Sequence, residues 1–268
     1  MTNKIYSIIQ DTDLQIDSYL HYVARLAKDF DITLELIDPP LIKNDVIGDT
    51  IIGSGIPNIV RAENPKIGRN VIHEKLSSEQ FQSLNYTVSE TFLDNLLAEN
   101  KTEESILWTI NQASNDSWLN GVFGTIETDL YEKIDIPSLT IPNDCVYKKP
   151  EKLLLMIRDR PSLNFKKFNQ LINRLNIDLV YVFEEDESSI STESIMDTLN
   201  LELKEFKGKT IAISNQSEDQ VNTLDNILEK EKPEWIAFAN YNRSFLERFY
   251  KTNTKQLTLS SNIPVLNF

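Results

Sequence analysis

Short apolar runs alternate with amphipathic segments along the chain. The run KIYSIIQD at residues 4–11 precedes a segment, residues 14–30, whose apolar side chains recur at three- and four-residue spacing. The apolar run DITLELID follows at residues 31–38. The two runs have the length and β-branched content of buried strands, and the segment between them has the period of a helix. Strands that alternate with helices predict an α/β fold with a parallel sheet covered on both faces.

The same pattern returns in the second half of the chain. KLLLMIRD at residues 152–159 matches the first apolar run, and residues 163–175 and 176–186 match the helix and the strand after it. Three later pairs of segments also match. An amphipathic helix is predicted at residues 92–100 and again at 223–231, and a strand that contains a tryptophan at 104–111 and again at 233–240. A closing strand is predicted at 135–142 and again at 262–268. Trp108 and Trp235 are predicted to occupy equivalent positions. A repeat of this kind predicts five strands and four helices in each half.

The halves define two predicted domains, residues 1–142 and 151–268. The segment between them, PNDCVYKKP at residues 142–150, is predicted as a polar linker bounded by prolines. The first domain carries about twenty extra residues within an insertion at about 39–80. The insertion is predicted as a long loop with at most short elements, which covers part of the first sheet or the interface.

Composition and charge exclude several classes of partner and location for the protein. The length of 268 residues suits two domains of about 130 each. The net charge of −14 argues against a nucleic-acid partner and against an anionic membrane surface. The apolar run near the N-terminus is too short for a signal peptide or a membrane span. Because the single cysteine, Cys145, leaves no internal disulfide, we expect a cytoplasmic protein.

The residue types that common catalytic sites need are scarce. The two histidines, His21 and His73, have neither a cysteine partner nor H-E-x-x-H spacing, which predicts that no metal is bound. The G-x-S-x-G motif of serine hydrolases is absent. The sequence therefore predicts a protein that is not an enzyme, with no catalytic residues.

Several segments together resemble the universal stress protein family. They are the opening strand that ends in Asp11, the helix YLHYVARLAKDF before DITLELID, and the stretch FGTIETDLYEKIDIPSLTIP that closes the first half. The second half closes similarly with SFLERFYKTNTKQLTLSSNIPVLNF. The resemblance covers nearly the whole chain, twice. It implies two tandem five-stranded parallel-sheet sandwiches with helices on both faces, adenine nucleotide alpha hydrolase-like, packed as a pseudo-dimer through their last strands.

Members of that family that bind ATP use a loop of the form G-x2-G-x9-G-[ST], in which glycines let backbone N–H groups approach phosphates. In the first half the resemblance maps this loop onto Asn111, Ser114, Gly124 and Thr125, and maps the adenine and ribose side onto Asp11. Only the last two loop positions keep the family's residues. We expect no cofactor, with ATP or AMP in the first half as the alternative.

In the second half the alignment maps the glycine positions onto Phe238, Tyr241 and Lys251, followed by Thr252, and Gly208 is the only glycine after residue 125. Aromatic side chains cluster in this region and are predicted to fill the space of a nucleotide; they are Phe238, Tyr241, Phe245, Phe249 and Tyr250. The helical spacing of Tyr241, Phe245 and Phe249 predicts one face that packs on the sheet or against the other half. The acidic residues 184–187 would also repel a triphosphate unless a metal intervenes, and they are predicted to form a solvated turn, with a cation site as the alternative. Asp159 is expected to cap the following helix, and the same role is an equal alternative for Asp11.

The sequence therefore favours a non-enzymatic stress-response or signalling protein that has lost nucleotide binding in its second domain. One alternative is an ATP or AMP sensor that uses the first domain only. Another is a small-molecule binding protein with its site under the insertion, between the domains. The predicted partners are an intramolecular pseudo-dimer and an unidentified protein, with a further homodimer left open.

Overall fold

The structure is a computed structural model that describes residues 4–9, 16–37, 65–77, 79–89, 105–111, 136–142, 145–157, 165–185, 208–214, 220–238 and 262–268. The strands in these residues are β1 (Lys4–Ile8), β2 (Thr33–Ile37), β3 (Tyr86–Ser89), β4 (Ser105–Asn111), β5 (Ser138–Ile141), β6 (Lys152–Ile157), β7 (Asp178–Glu185), β8 (Gly208–Ser214), β9 (Trp235–Phe238) and β10 (Val265–Asn267). The helices are α1 (Ile16–Asp29), α2 (Pro65–Leu76), α3 (Phe165–Leu175), α4 (Gln220–Glu231) and a short 3₁₀ helix (Glu79–Phe81).

The ten strands form one sheet in the order β3-β2-β1-β4-β5-β10-β9-β6-β7-β8. All neighbours are parallel except β5 and β10, which pair antiparallel at the centre. Read from one edge, the first five strands are β3-β2-β1-β4-β5. Read from the other edge, the remaining five are β8-β7-β6-β9-β10, which is the same order. The predicted parallel α/β architecture is therefore confirmed.

The strand registers show which residues of the two halves correspond. Lys4 pairs with Thr33 as Lys152 pairs with Asp178. The amide of Trp108 donates to the carbonyl oxygen of Pro137 at 2.9 Å. In the second half, the amide of Ile236 donates to Pro264 at 3.0 Å. Trp108 therefore corresponds to Ile236.

The predicted equivalence of the two tryptophans is wrong by one residue. Trp108 is the register partner of Tyr6, whereas Trp235 is the register partner of Leu153. Because successive side chains of a strand point to opposite faces, the two indoles lie on opposite faces of the sheet. β4 also contains a bulge before Trp108, because Lys4 pairs with Ser105 but Ile5 pairs with Leu107, which leaves Ile106 as an extra residue.

The first helix of each half ends with the same backbone geometry. Asp31 and Asn176 have φ of 51° and 52°, in the left-handed region. The next amide donates to a carbonyl five residues earlier, from Ile32 to Ala27 at 2.9 Å and from Ile177 to Ile172 at 3.3 Å. This is the Schellman cap, here without glycine.

One hydrophobic core extends across the junction of β5 and β10. It contains buried residues of α1 and α3, and strand residues of both halves that include Leu107, Leu139, Trp235 and Leu266. A second cluster on the opposite face consists of Tyr6, Ile8, Ile37, Trp108, Ile110 and Ile136. The division into domains at 1–142 and 151–268 stays a prediction.

The predicted insertion contains more regular structure than expected. α2 is twelve residues long, and with the 3₁₀ helix it connects β2 to β3. Its Ile72 and Leu76, together with Phe81, are buried in the core that α1 also joins. The expectation of at most short elements is therefore wrong for residues 65–81. Residues 39–64 lie outside the described part of the chain.

The predicted linker lies against α1. Cys145 and Pro150 are buried, and the ring of Tyr147 packs edge-on against Tyr22 with centroids 5.1 Å apart. The Tyr147 hydroxyl also donates to Asp29 Oδ2 at 2.8 Å. The segment is therefore more than a polar spacer.

Candidate functional site

In an open parallel sheet, ligands bind beyond the carboxyl ends of the strands, at the point where the strand order reverses. We refer to this point as the switch point. In the first half this point lies between β1 and β4, which end at Ile8 and Asn111. Asn111 is the one predicted site residue that the structure describes. The other four, Asp11, Ser114, Gly124 and Thr125, lie outside the described residues, as do Asp159 and the segment from 239 to 261.

Asn111 is the last residue of β4 and the register partner of Ile141. Its side chain is half-buried, and its buried Oδ1 atom has no hydrogen-bond partner among the described residues. By strand alternation Asn111 lies on the same face as Thr109, the face that α1 covers. A buried amide oxygen without a partner is costly, because its water was removed without replacement.

Three buried hydroxyl groups lie on this face of the switch point. Ser7 and Thr109 are register partners on β1 and β4, and Tyr19 reaches them from α1. The Tyr19 hydroxyl lies 2.7 Å from Ser7 Oγ and 3.0 Å from Thr109 Oγ1, and all three residues are fully buried. We refer to Ser7, Tyr19 and Thr109 as the hydroxyl cluster.

The hydroxyl cluster is uncharged at neutral pH. Burial raises the pKa of Tyr19 well above its usual value, and the hydrogen bonds to Ser7 and Thr109 oppose that shift only in part. The sequence analysis missed these residues. The available signal was a serine and a threonine inside two apolar strands, but nothing in the sequence shows that one tyrosine reaches both.

The second half is apolar at the equivalent place. The register partners that correspond to Ser7 and Thr109 are Leu155 and Ala237, both fully buried. The same register makes Phe238 the counterpart of Ile110, because Phe238 pairs with Asn267 and Ile110 with Thr140. The counterpart of Asn111 lies outside the described residues, because β9 ends at Phe238. The mapping of a glycine position onto Phe238 is wrong by one residue.

Other predicted features have clear positions. Glu184 and Glu185 are the last residues of β7 and pair with Ile213 and Ser214, so half of the acidic run belongs to a strand and not to a turn. His21 packs against Phe81 with ring centroids 5.5 Å apart.

His73 contacts a tyrosine, and Cys145 is buried. His73 Nδ1 lies 2.8 Å from the Tyr86 hydroxyl. Burial raises the pKa of the Cys145 thiol to about 11. Among the described residues, no three His, Cys, Asp or Glu side chains are grouped as a metal would require. None of the described helices is long and apolar enough to cross a membrane.

Comparison with known proteins shows similarity in structure only. No protein-family model matches the chain, and no curated protein matches it in sequence. A universal stress protein from Archaeoglobus fulgidus DSM 4304 superposes with a TM-score of 0.59 at 8% identity, over 99% of this chain and 96% of that one.

Two proteins of Pseudomonas aeruginosa are also similar. A functionally unknown protein from strain PAO1 gives a TM-score of 0.55 at 11% identity, over 99% of this chain and 92% of its own. A putative universal stress protein from strain UCBPP-PA14 gives 0.51 at 10% identity, over 100% and 92%. The chain therefore has the fold of the universal stress proteins.

Proposed function

We propose that the protein is a non-enzymatic stress-response or signalling protein of the universal stress protein type, built from two units in tandem. The identical strand order of the two halves and the antiparallel pairing of β5 with β10 support a pseudo-dimer of such units. In this proposal the protein is cytoplasmic and acts through a protein partner.

The observation that carries the proposal is the contrast between the two switch points. The first has polar residues at Ser7, Thr109 and Asn111, and the second has Leu155 and Ala237. The sequence around the second switch point also lacks glycine, because Gly208 is the only one after residue 125. The second unit then serves as a scaffold that does not bind nucleotide.

Thermal unfolding of the full chain with ATP or AMP, each with and without Mg²⁺, tests this proposal. A ligand at one hundred times its Kd stabilises the native state by about 2.7 kcal/mol, which is easily detected as a rise in Tm. We expect no rise. A rise that is abolished by Thr252→Val and not by Gly124→Val would place nucleotide in the second unit and contradict the proposal.

Asn111 favours a second candidate, an ATP or AMP sensor that uses the first unit only. Its buried Oδ1 atom has no hydrogen-bond partner within the described part of the chain, and it lies at the edge where ligands of this fold class bind. For this candidate, nucleotide should raise Tm, and Gly124→Val and Asn111→Asp should each abolish the rise. Asn111→Leu sets the baseline, because removing an unpartnered polar group should raise Tm without ligand. A small-molecule site under the insertion stays a prediction.

A further inference from the structure

Two cationic side chains lie one helical turn apart on the face of α1 that meets the 3₁₀ helix. Arg25 and Lys28 are at positions i and i+3, so their side chains are neighbours on the helix surface. Arg25 Nη2 donates a hydrogen bond to Gln80 Oε1 at 3.1 Å, and Lys28 Nζ donates to the backbone carbonyl oxygen of Gln80. Both positive charges are therefore held by oxygen atoms of one neutral residue.

Neither of these cations has a carboxylate within ion-pairing distance in the part of the chain that the structure describes. By contrast, Lys4, Lys75 and Lys152 each form an ion pair with an acidic side chain. Asp29 belongs to the same turn of α1, but its Oδ2 atom accepts the hydroxyl group of Tyr147 at 2.8 Å. In a chain with a net charge of −14, two neighbouring cations without a carboxylate partner call for an explanation.

The guanidinium group of Arg25 uses little of its hydrogen-bonding capacity. An arginine side chain can donate several hydrogen bonds in a fixed planar arrangement. Among the described residues, Arg25 donates only to Gln80, and its buried Nε atom has no partner there. The side chain is half-buried, so part of its hydration is lost and a single neutral oxygen compensates for that loss. An anion would compensate the charge better.

The second half shows that the fold does not require the two cations. The caps that end α1 and α3 align the two helices, and this alignment matches Arg25 and Lys28 with Gln170 and Asn173. Both of these residues are exposed and carry neutral amide groups. A helix at this place in the unit therefore forms without positive charges at these positions.

We propose that Arg25 and Lys28 form a binding site for a phosphoryl group, either inorganic phosphate or a phosphorylated side chain of a partner protein. The planar guanidinium group matches two phosphate oxygens, and the ammonium group adds a point charge beside it. The phosphate takes the place of Gln80 Oε1, which belongs to an exposed side chain.

This site lies near the end of α1 that leads into β2, at the edge of the sheet opposite to the switch point. The inference therefore goes beyond the proposed function and does not depend on it. A rise in Tm with ATP that Gly124→Val abolishes belongs to the switch point. A rise that Arg25→Gln together with Lys28→Asn abolishes belongs to the site on α1.

NMR titration of the ¹⁵N-labelled full chain with inorganic phosphate tests the proposal. The reporters are the Nε–H signal of Arg25, identified by its loss in Arg25→Gln, and the backbone amide signal of Gln80. Chloride at the same ionic strength controls for screening. We expect phosphate to shift both signals with a Kd of about 1 mM, because partly exposed ionic contacts are weak. A glycine-flanked phosphoserine peptide is titrated in parallel, and the lower Kd identifies the source of the phosphoryl group.

Two changes of the site should weaken phosphate binding. Arg25→Gln together with Lys28→Asn gives α1 the residues that α3 has, and Gln80→Glu keeps both cations but supplies a carboxylate to them. Each should raise the Kd about tenfold or more, because charged hydrogen bonds to the phosphate are lost or blocked. The matched control is Lys148→Gln together with Lys149→Gln, which removes the same charge from two exposed lysines.

The control should change the Kd by less than about twofold, since exposed charges farther from the site are screened. The proposal would be overturned by unshifted signals at about 10 mM phosphate, ten times the expected Kd. A shift of the same size with chloride, or a Kd in Gln80→Glu equal to that of the wild type, would also overturn it. Because Gln80→Glu alters one exposed side chain, it decides even if the double variant does not fold.

Discussion

The central strands of the two halves occupy the same places in the sheet but differ in chemistry. On the face covered by α1, the first half pairs Ser7 with Thr109, and the second half pairs Leu155 with Ala237. On the opposite face, Tyr6, Trp108 and Ser138 of the first half correspond to Leu154, Ile236 and Val265 of the second. Since the apolar set supports the same strand order, the fold does not require the polar set.

The apolar and the polar residues at these positions contribute differently to the stability of the fold. Burying a leucine side chain contributes about 2–3 kcal/mol, whereas a neutral hydrogen bond contributes about 1 kcal/mol net. At the switch points, the apolar residues of the second half therefore stabilise the fold more than the polar residues of the first half do. The first half instead carries hydroxyl groups, which contribute less to stability but fix which side chains pair with them.

The largest expected effect comes from giving the second half the polarity of the first. Leu155→Ser should lower the free energy of unfolding by about 3–5 kcal/mol, because it removes a buried side chain and leaves a hydroxyl without the partner that Tyr19 gives Ser7. Ser7→Ala should cost about 1 kcal/mol. Urea unfolding measures how much each variant lowers the free energy of unfolding, and so gives the ratio of the two costs. Equal costs would mean that the two switch points do not differ in the way their residues indicate.

Alkaline pH should destabilise the protein through the first half. Burial raises the pKa values of Tyr19 and Tyr22, both on α1, above the value of about 10 in the unfolded chain. Above pH 10 the unfolded state therefore loses protons that the native state keeps, and stability falls as pH rises. Each tyrosine contributes a slope of about 1.4 kcal/mol per pH unit.

The variants Tyr19→Phe and Tyr22→Phe should each remove one such contribution when unfolding is measured from pH 9 to pH 11. Ile5→Val is the control, because it should lower stability equally at every pH. An unchanged slope in both tyrosine variants would show that these hydroxyls are not buried in solution.

The contact between the halves predicts a smaller effect. Tyr22→Phe leaves Trp235 Nε1 buried without its acceptor, which should cost about 1–2 kcal/mol. Tyr147→Phe loses only an exposed hydrogen bond to Asp29 and should cost less than about 1 kcal/mol. Urea unfolding compares the two. A larger cost for Tyr147→Phe would mean that the linker, and not the Tyr22–Trp235 contact, dominates the junction.

The architecture could be predicted from the sequence because it depends on hydrophobic period. The runs at residues 4–11 and 152–159 became β1 and β6, and the segments after them became α1 and α3. The register could not be predicted, because β4 and β9 are buried on both faces and their hydrophobic pattern does not distinguish one register from the next. Treating the two tryptophans as equivalent therefore placed them on the same face, which the pairing contradicts.

The site was less accessible to sequence reasoning than the fold. Asn111 was found through its spacing from Gly124, which is local information. In the hydroxyl cluster Tyr19 meets Thr109, which is 90 positions away, and Tyr19 has the same helical spacing as the apolar residues around it. Only the packed structure shows that its hydroxyl meets two others.

The smallest effect concerns the helix ends, where the halves agree. Asp31 and Asn176 both adopt a left-handed backbone conformation that favours glycine, and Lys232 does so after α4 with φ of 48°. Asp and Asn tolerate this conformation better than Lys does. Replacement by glycine relieves the backbone but increases the freedom of the unfolded chain. We expect a gain of about 0.5–1 kcal/mol for Lys232→Gly, and smaller, nearly equal gains for Asp31→Gly and Asn176→Gly.

Urea unfolding of the three variants measures these gains, with Lys230→Gly in the last turn of α4 as the control. That control should lose stability, by less than about 1 kcal/mol, because glycine disfavours helical backbone and the cost is largest in a helix interior. Arg174 donates to the backbone carbonyl of Asp31, a contact that survives the change to glycine, so the side chain of Asp31 has no separate role in it. A loss of stability for Asp31→Gly beside a gain for Asn176→Gly would show that the two caps are not equivalent. The asymmetry of the halves would then extend from their cores to their backbone turns.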